Sequence, residues 1–211
     1  MNKLKEKARQ AEVLLRREYP QALCSLEYED PFQLLAAVRL SAQCTDARVN
    51  LVTPGLFEAY PTVQAMANAP VEQVEKLIHS CGFYRARARD LVALSKMILE
   101  DFGGKVPDSI EKLTLLPGVG RKTANLIMGD VYGQPAVVAD THVIRISNLL
   151  GLADSKNPLK VEMQLRELLP PEHSNDFCHR CVLHGRDVCI ARRPKCGVCT
   201  LSGICDFFGA G

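Results

Sequence analysis

Apolar positions recur at helical spacing along almost the whole chain. Residues 3–18 are rich in helix formers and stop before Pro20. Asp30-Pro31 reads as an N-cap followed by proline in the first turn, opening the apolar stretch 32–38. Thr45 or Asp46 can cap the next helix, which Pro54-Gly55 is expected to interrupt. Residues 71–79 are periodic and stop at Gly82. Leu91, Leu94, Ile98 and Phe102 form one stripe of a long helix ended by Gly103-Gly104. Further helices are predicted over 109–116, 121–132, 141–150, 159–169 and 174–184. Only 136–139 resembles a strand, and it is too short and isolated for a sheet. No internal repeat, low-complexity tract or flexible linker interrupts the pattern. The expected fold is all-α, a compact helical body with a cysteine-rich end.

Composition narrows the class. The 211 residues make one large domain or two small ones, enough to bury a sizeable core. Hydrophobic residues at 47% and charged residues at 24% exclude a disordered chain. No apolar run approaches the roughly 18 residues of a membrane span. The charged start, Met1-Asn2-Lys3-Leu4-Lys5-Glu6-Lys7, lacks the apolar core of a secretory signal. A cytoplasmic protein is expected, with no membrane partner. The net charge is only +2, but between Cys178 and Cys205 five cations, Arg180, Arg186, Arg192, Arg193 and Lys195, face Asp187 alone. Positive field is therefore concentrated near the C-terminus. Arg85, Arg87 and Arg89 form a second cluster, read as a solvated helix face. Trp is absent and aromatics are 6%, which argues against a stacking platform for single strands.

Six of nine cysteines fall in the last 34 residues, and such crowding without a secretion signal points to metal. Cys24, Cys44 and Cys81 stand singly and read as buried small hydrophobes. Cys189, Cys196, Cys199 and Cys205 place four soft ligands within 17 residues, suited to zinc or to an iron–sulfur cluster. Spacing alone also allows a zinc ribbon from Cys178, Cys181, Cys196 and Cys199. That ribbon would draw Cys178 and Cys181 out of a helix whose neighbours Phe177, Val182 and Leu183 are apolar.

Residues 109–133 read as a helical hairpin. A first helix runs into Pro117, Gly118 and Gly120 free the turn, and a second helix begins near Arg121 with Ala124, Ile127, Met128 and Val131 on its apolar side. Turn amides and the positive helix end converge on one spot, a seat for phosphate. The plain alternative is an αα-hairpin with glycines at its turn. Lys122 lies in the first turn of the second helix, where the positive end disfavours an ammonium. Neighbouring arginines and partial burial would add to this, making the amine a candidate nucleophile. A solvated helical lysine is the bland reading. Asp140 is a natural N-cap for the 141–150 helix and could also hold an ionised carboxylate near a sugar that develops positive charge. His142 reads as structural.

The motifs Leu116-Pro-Gly-Val-Gly-Arg-Lys-Thr-Ala124, Ala139-Asp-Thr-His-Val-Ile-Arg145 and His184-Gly-Arg followed by four spaced cysteines occur in order. From about Pro31 to Cys205 the chain resembles the endonuclease III family of base-excision DNA glycosylases, in the helix-hairpin-helix superfamily. The resemblance implies two helical lobes, one at 25–134 with six helices, the other joining 1–24 to 135–211. It implies Lys122 as catalytic nucleophile and Asp140 as its partner, one from each lobe. It implies a [4Fe–4S] cluster held by Cys189, Cys196, Cys199 and Cys205 in the loop 189–205, with Cys178 and Cys181 left in the core. The expected substrate is double-stranded DNA with damaged bases or abasic sites, and the expected protein is a monomer, nucleoid-associated if bacterial.

Further roles follow from the same resemblance. Gln43, in Leu40-Ser-Ala-Gln-Cys-Thr-Asp46, would fill the hole left by a flipped base. Phe83, where the family commonly has leucine, would be the wedge, a ring able to intercalate. Gly118, Val119, Gly120, Arg121 and Thr123 would seat phosphate, and Arg192, Arg193 and Lys195 would present charge from the cluster loop. The implied reaction excises oxidised pyrimidines through a lysine Schiff base and β-elimination. A sibling, the adenine-mismatch glycosylase, lacks lysine at position 122 and carries an acidic residue near position 43, so it fits less well. A non-catalytic hairpin protein that only grips DNA is the competitor from another class.

Overall fold

The computed structural model describes residues 3–209 and is helical throughout, with no strand among the described residues. The residues up to Cys24 together with those from Gly133 onward form one compact unit, and Ser25–Tyr132 forms another. Among the described residues, no helix is long and apolar enough to cross a membrane.

The unit 25–132 contains α2 (Pro31–Ser41), α3 (Asp46–Ala59), α4 (Val63–Ala67), α5 (Val71–Leu77), α6 (Tyr84–Asp101), α7 (Ile110–Leu113) and α8 (Arg121–Asp130). That is seven helical segments where six were expected. The additional piece is α4, a short helix capped by Thr62 that packs, with α5, against the long α6. Asp30 caps α2 and Thr45 caps α3, each accepting from an amide in the first turn. α3 runs through Pro54 instead of breaking there. Proline removes one amide donor, but Val49, Thr53 and Leu56 are buried on either side of it and hold the helix closed. Asn50 adds a tie, accepting from the Glu27 amide and donating to the Ser25 carbonyl. The first hairpin helix is shorter than predicted, four residues from Ile110 to Leu113. Chain turns through Leu116 and Val119 follow it.

Arg87 overturns the expectation of a solvated arginine face. It is 1% exposed, on the buried side of α6 with Leu91, Leu94 and Ile98, while Arg85 and Arg89 are exposed. Its Nη1 donates to the Leu40 carbonyl at 2.6 Å, tying α6 to the end of α2. Cys81 is buried as expected, but Cys24 and Cys44 are only half-buried.

The other unit contains α1 (Lys3–Glu18), α9 (Thr141–Leu149), α10 (Pro158–Leu168), α11 (Ser174–Asp187) and α12 (Asp206–Gly209), with short 3₁₀ turns at Pro171–His173, Cys196–Val198 and Ser202–Ile204. Residues 136–139 are buried but extended without a ladder partner. α11 packs on α1 and α9. Close approach to α9 requires Gly185: a Cβ there would lie 2.3 Å from His142 Nδ1. Buried Glu12 on α1 is compensated by Arg16, Arg180 and His173 at 3.6–3.8 Å. Arg180 also meets Asp176 at 3.1 Å and is 4% exposed. It therefore belongs to the interior, not to the C-terminal positive field.

Replacing Arg87 with Ala should strand the Leu40 carbonyl and leave a cavity. The expected loss is on the order of 2–4 kcal/mol, read by urea unfolding; a loss under about 0.5 kcal/mol would remove its structural role.

Candidate functional site

At the hairpin, Ser109 caps α7, and the chain turns through Pro117 and Gly118 before α8 begins. Gly118 has φ +74°, and a Cβ on it would sit 2.4 Å from Arg39 Nε and 2.8 Å from Asp90 Oδ2. Arg39 Nε and Nη2 both donate to Asp90, so a half-buried ion pair backs the turn and admits only glycine there. The N-cap of α8 is Gly120, in extended conformation, which offers no side-chain acceptor to the first-turn amides. The first helical bond runs from the Ala124 amide to the Gly120 carbonyl. Positive helix end and amides therefore point out of the turn. Gly118, Gly120, Arg121 and Lys122 are exposed and Thr123 is half-buried, whereas the Val119 side chain is buried and its amide donates to the Leu116 carbonyl at 3.0 Å. Lys122 lacks the partial burial expected of it.

In the same unit, Gln43 and Phe83 share an unusual backbone. Both have positive φ, 59° and 55°, in the left-handed region that non-glycine residues seldom occupy. Phe83 stands at the start of α6 with its ring 71% exposed, and Gln43 is exposed between α2 and α3. The two turns adjoin: a Cβ on Gly82 would meet the Gln43 carbonyl at 3.9 Å. Arg87 supports both from beneath through Leu40, and Cys44 lies against Cys81, whose thiol is pushed up to about 11 by burial first and by Cys44 second. Arg87 is the functional support missed in the sequence. Its place four residues before Leu91 on the apolar stripe was the available signal.

Asp140 caps α9, its Oδ1 accepting from the Val143 amide at 2.8 Å, and it is half-buried. His142 is structural, its Nδ1 3.2 Å from Arg145 Nη2 against Gly185.

Near the C-terminus, Cys189, Cys196, Cys199 and Cys205 line one small cavity with Leu149, Val188 and Phe207. All four are free thiols. Four sulfur donors spread around one apolar hollow fit a polynuclear iron–sulfur group. The zinc-ribbon alternative does not fit, because Cys178 and Cys181 are buried one turn apart within α11. Burial pushes the Cys189 and Cys199 thiols up, and the Arg145 guanidinium opposes this at Cys189. Arg145 Nη2 also donates to the Cys189 carbonyl at 2.6 Å. His184 Nε2 lies 3.4 Å from Cys199 Sγ, and burial pushes His184 down. Tyr19, beside it, is pushed up to about 12, chiefly by burial. Arg192, Arg193 and Lys195 are exposed, with Lys195 3.6 Å from Asp187.

Residues 36–171 match the helix-hairpin-helix GPD superfamily of base excision DNA repair proteins, and residues 189–205 match the iron–sulfur binding domain of endonuclease III. The chain is 45% identical to endonuclease III of Synechocystis over 202 residues, covering 95% of this chain and 92% of the relative. It is 44% identical to the Bacillus subtilis endonuclease III, covering 89% and 86%. A solved structure of a trapped endonuclease III–DNA covalent intermediate superposes with TM-score 0.92 at 40% identity, covering 98% of this chain and 97% of that one. A thermostable thymine-DNA glycosylase shares the fold at TM-score 0.86 and 22% identity, covering 100% and 99%. With hairpin, capped α9 and ring of four thiols all present, the chain belongs to the endonuclease III family, the DNA glycosylases with AP lyase activity of base excision repair, which bind DNA and carry a [4Fe–4S] cluster.

Proposed function

We propose that this protein excises oxidised pyrimidines from duplex DNA and cuts the resulting abasic strand, with Lys122 as nucleophile and Asp140 as its carboxylate partner. The observation that carries the reading is the setting of Lys122. It is exposed in the first turn of α8, two residues past a glycine cap that leaves the helix amides without a side-chain acceptor. A phosphate drawn to those amides brings a sugar within the working range of that amine. Likeness to a covalently trapped endonuclease III supports a nucleophilic rather than a purely hydrolytic route.

In this reading the damaged nucleotide is flipped out of the stack, because its sugar carbon is shielded within the duplex. Gln43 fills the vacated place and Phe83 wedges the neighbouring step. Their adjoining strained turns in one unit are suited to that joint task. Asp140 takes the proton that leaves the Lys122 ammonium and offsets positive charge growing on the sugar. The neutral Nζ attacks C1′, the C1′–N bond breaks, and the base leaves with the bonding electrons and acquires a proton. Opening of the sugar gives a protonated Schiff base between Nζ and C1′. Loss of a C2′ proton then expels the 3′ phosphate by β-elimination, and water releases the lysine. The amides of Gly118 and of 120–123, with Arg121, position phosphate without reading sequence, while the Val119 amide closes the turn onto the Leu116 carbonyl. Arg192, Arg193 and Lys195 add attraction from the loop that Cys189, Cys196, Cys199 and Cys205 fold around the cluster. The bound cluster supplies structural order to that loop. The protein works as a cytoplasmic monomer.

Borohydride should trap the protein covalently on duplex DNA bearing an oxidised thymine. Lys122→Ala should bind that DNA within a few-fold of wild type yet neither trap nor cut; full cleavage by this variant would end the lysine assignment, and a wild-type protein that binds but neither traps nor cuts would favour simple DNA gripping.

Asp140→Asn keeps an oxygen that can cap α9, so thermal stability should hold while turnover falls on the order of 10²-fold or more. Asp140→Ala should lose the same activity and about 1 kcal/mol of stability as well. Equal turnover for Asn and wild type would reduce Asp140 to a cap.

A further inference from the structure

The proposed reaction leaves one buried polar relay in the cluster-bearing unit without a task. His184, on α11, is 1% exposed. Its Nε2 stands 3.4 Å from Cys199 Sγ, and its Nδ1 stands 3.3 Å from the Tyr19 hydroxyl. The Tyr19 and His184 rings meet edge to face, with centroids 5.9 Å apart and planes at 75°. Tyr19 is itself held, its carbonyl accepting from Arg180 Nε at 3.1 Å, and Arg180 is anchored by Glu12 and Asp176. The main chain of His184 is engaged as well: its carbonyl accepts from the amides of Val188 at 2.9 Å and Cys189 at 2.8 Å. One residue therefore touches two of the four cavity cysteines, one by backbone and one by side chain.

Chemistry fixes the direction of the relay. A metal-bound cysteine is a thiolate, which can only accept. The proton of a neutral imidazole facing it must be on Nε2, leaving Nδ1 as the acceptor for the Tyr19 O–H. Burial keeps water from taking either place.

We propose that His184, set in one tautomer by Tyr19, donates an Nε2–H hydrogen bond to the Cys199 thiolate and thereby tunes the [4Fe–4S] cluster. The inference rests on Cys199 being a cluster ligand. A hydrogen bond draws electron density from the sulfur, stabilises the more reduced cluster and raises its reduction potential. His184 is a positioning residue in this scheme and touches no DNA.

The test is voltammetry of the DNA-free holoprotein, with iron content and visible absorption measured beside it. His184→Leu should shift the cluster potential to more negative values. His184→Gln, which keeps an N–H at similar reach, should restore most of the shift. Tyr19→Phe should move it in the same direction as Leu but less, since the imidazole stays while its tautomer is released. A Leu variant and a Tyr19→Phe variant both at the wild-type potential would overturn the proposal, as would a Gln variant shifted as far as Leu. Should the Leu variant fail to load iron, Tyr19→Phe decides through the sensitivity of its iron–thiolate Raman bands to exchange in heavy water, which should weaken if the relay exists and stay unchanged if it does not. Cys199→Ser with full iron content and an unchanged spectrum would instead show that the ligand assignment had failed.

Discussion

Helix α8 begins with a glycine N-cap that offers its first-turn amides no side-chain acceptor. Six other helices place a side-chain oxygen at the N-cap: Asp30, Thr45, Thr62, Ser109, Asp140 and Asn157. Gly120 does not. A glycine cap forgoes only roughly a few tenths of a kcal/mol of helix stability relative to a side-chain oxygen, and the return is a donor set that an anion can use. Gly118 makes the turn possible, and the Arg39–Asp90 pair at its back leaves no room for a side chain. Sequence, turn geometry and electrostatics thus converge on phosphate before any catalytic group is considered.

The cysteine end is organised from α9 and α11. Gly185 allows these helices to meet closely, and the contact puts Arg145 on the carbonyl of Cys189. One turn of α11 away from the loop, His184 reaches Cys199. Buried thiols resist ionisation, so a site that needs four thiolates requires compensation by cations and donors as well as by iron. Arg145 at Cys189, and His184 and the Leu201 backbone at Cys199, are placed to provide it from the protein. Separating the loop's order from its surface charge explains why Arg180 could be interior while Arg192 and Arg193 stay in water.

Helix content and most caps were legible because they are local: periodicity and capping oxygens act within a few residues. Asp30, Thr45 and Asp140 all cap where the sequence places them. What escaped depends on neighbours distant in sequence. Pro54 breaks an isolated helix but not one with Val49, Thr53 and Leu56 buried around it. Arg87 reads as surface by its charge, and only the Leu40 carbonyl, 47 residues away, explains its burial. Left-handed backbone at Gln43 and Phe83 has no marker in residue type, since glycine or asparagine would be the usual sign. The four thiols were legible as a group by spacing, but spacing did not choose the group they hold; the burial of Cys178 and Cys181 inside α11 removes the zinc ribbon, and the match of 189–205 to an iron–sulfur binding domain names the cluster.

Asp140 shows why the structural and the chemical reading of one residue need not compete. As cap it uses Oδ1 on the Val143 amide, at the positive end of the same helix. Capping also fixes the side chain in one rotamer, so a charge required at one place is held there without further machinery. Asn could serve the helix equally well and would lack the charge. Lys122 stands in the opposite electrostatic relation to its own helix, a cation at a positive end. One helix start therefore meets a charge of complementary sign and the other a charge of like sign.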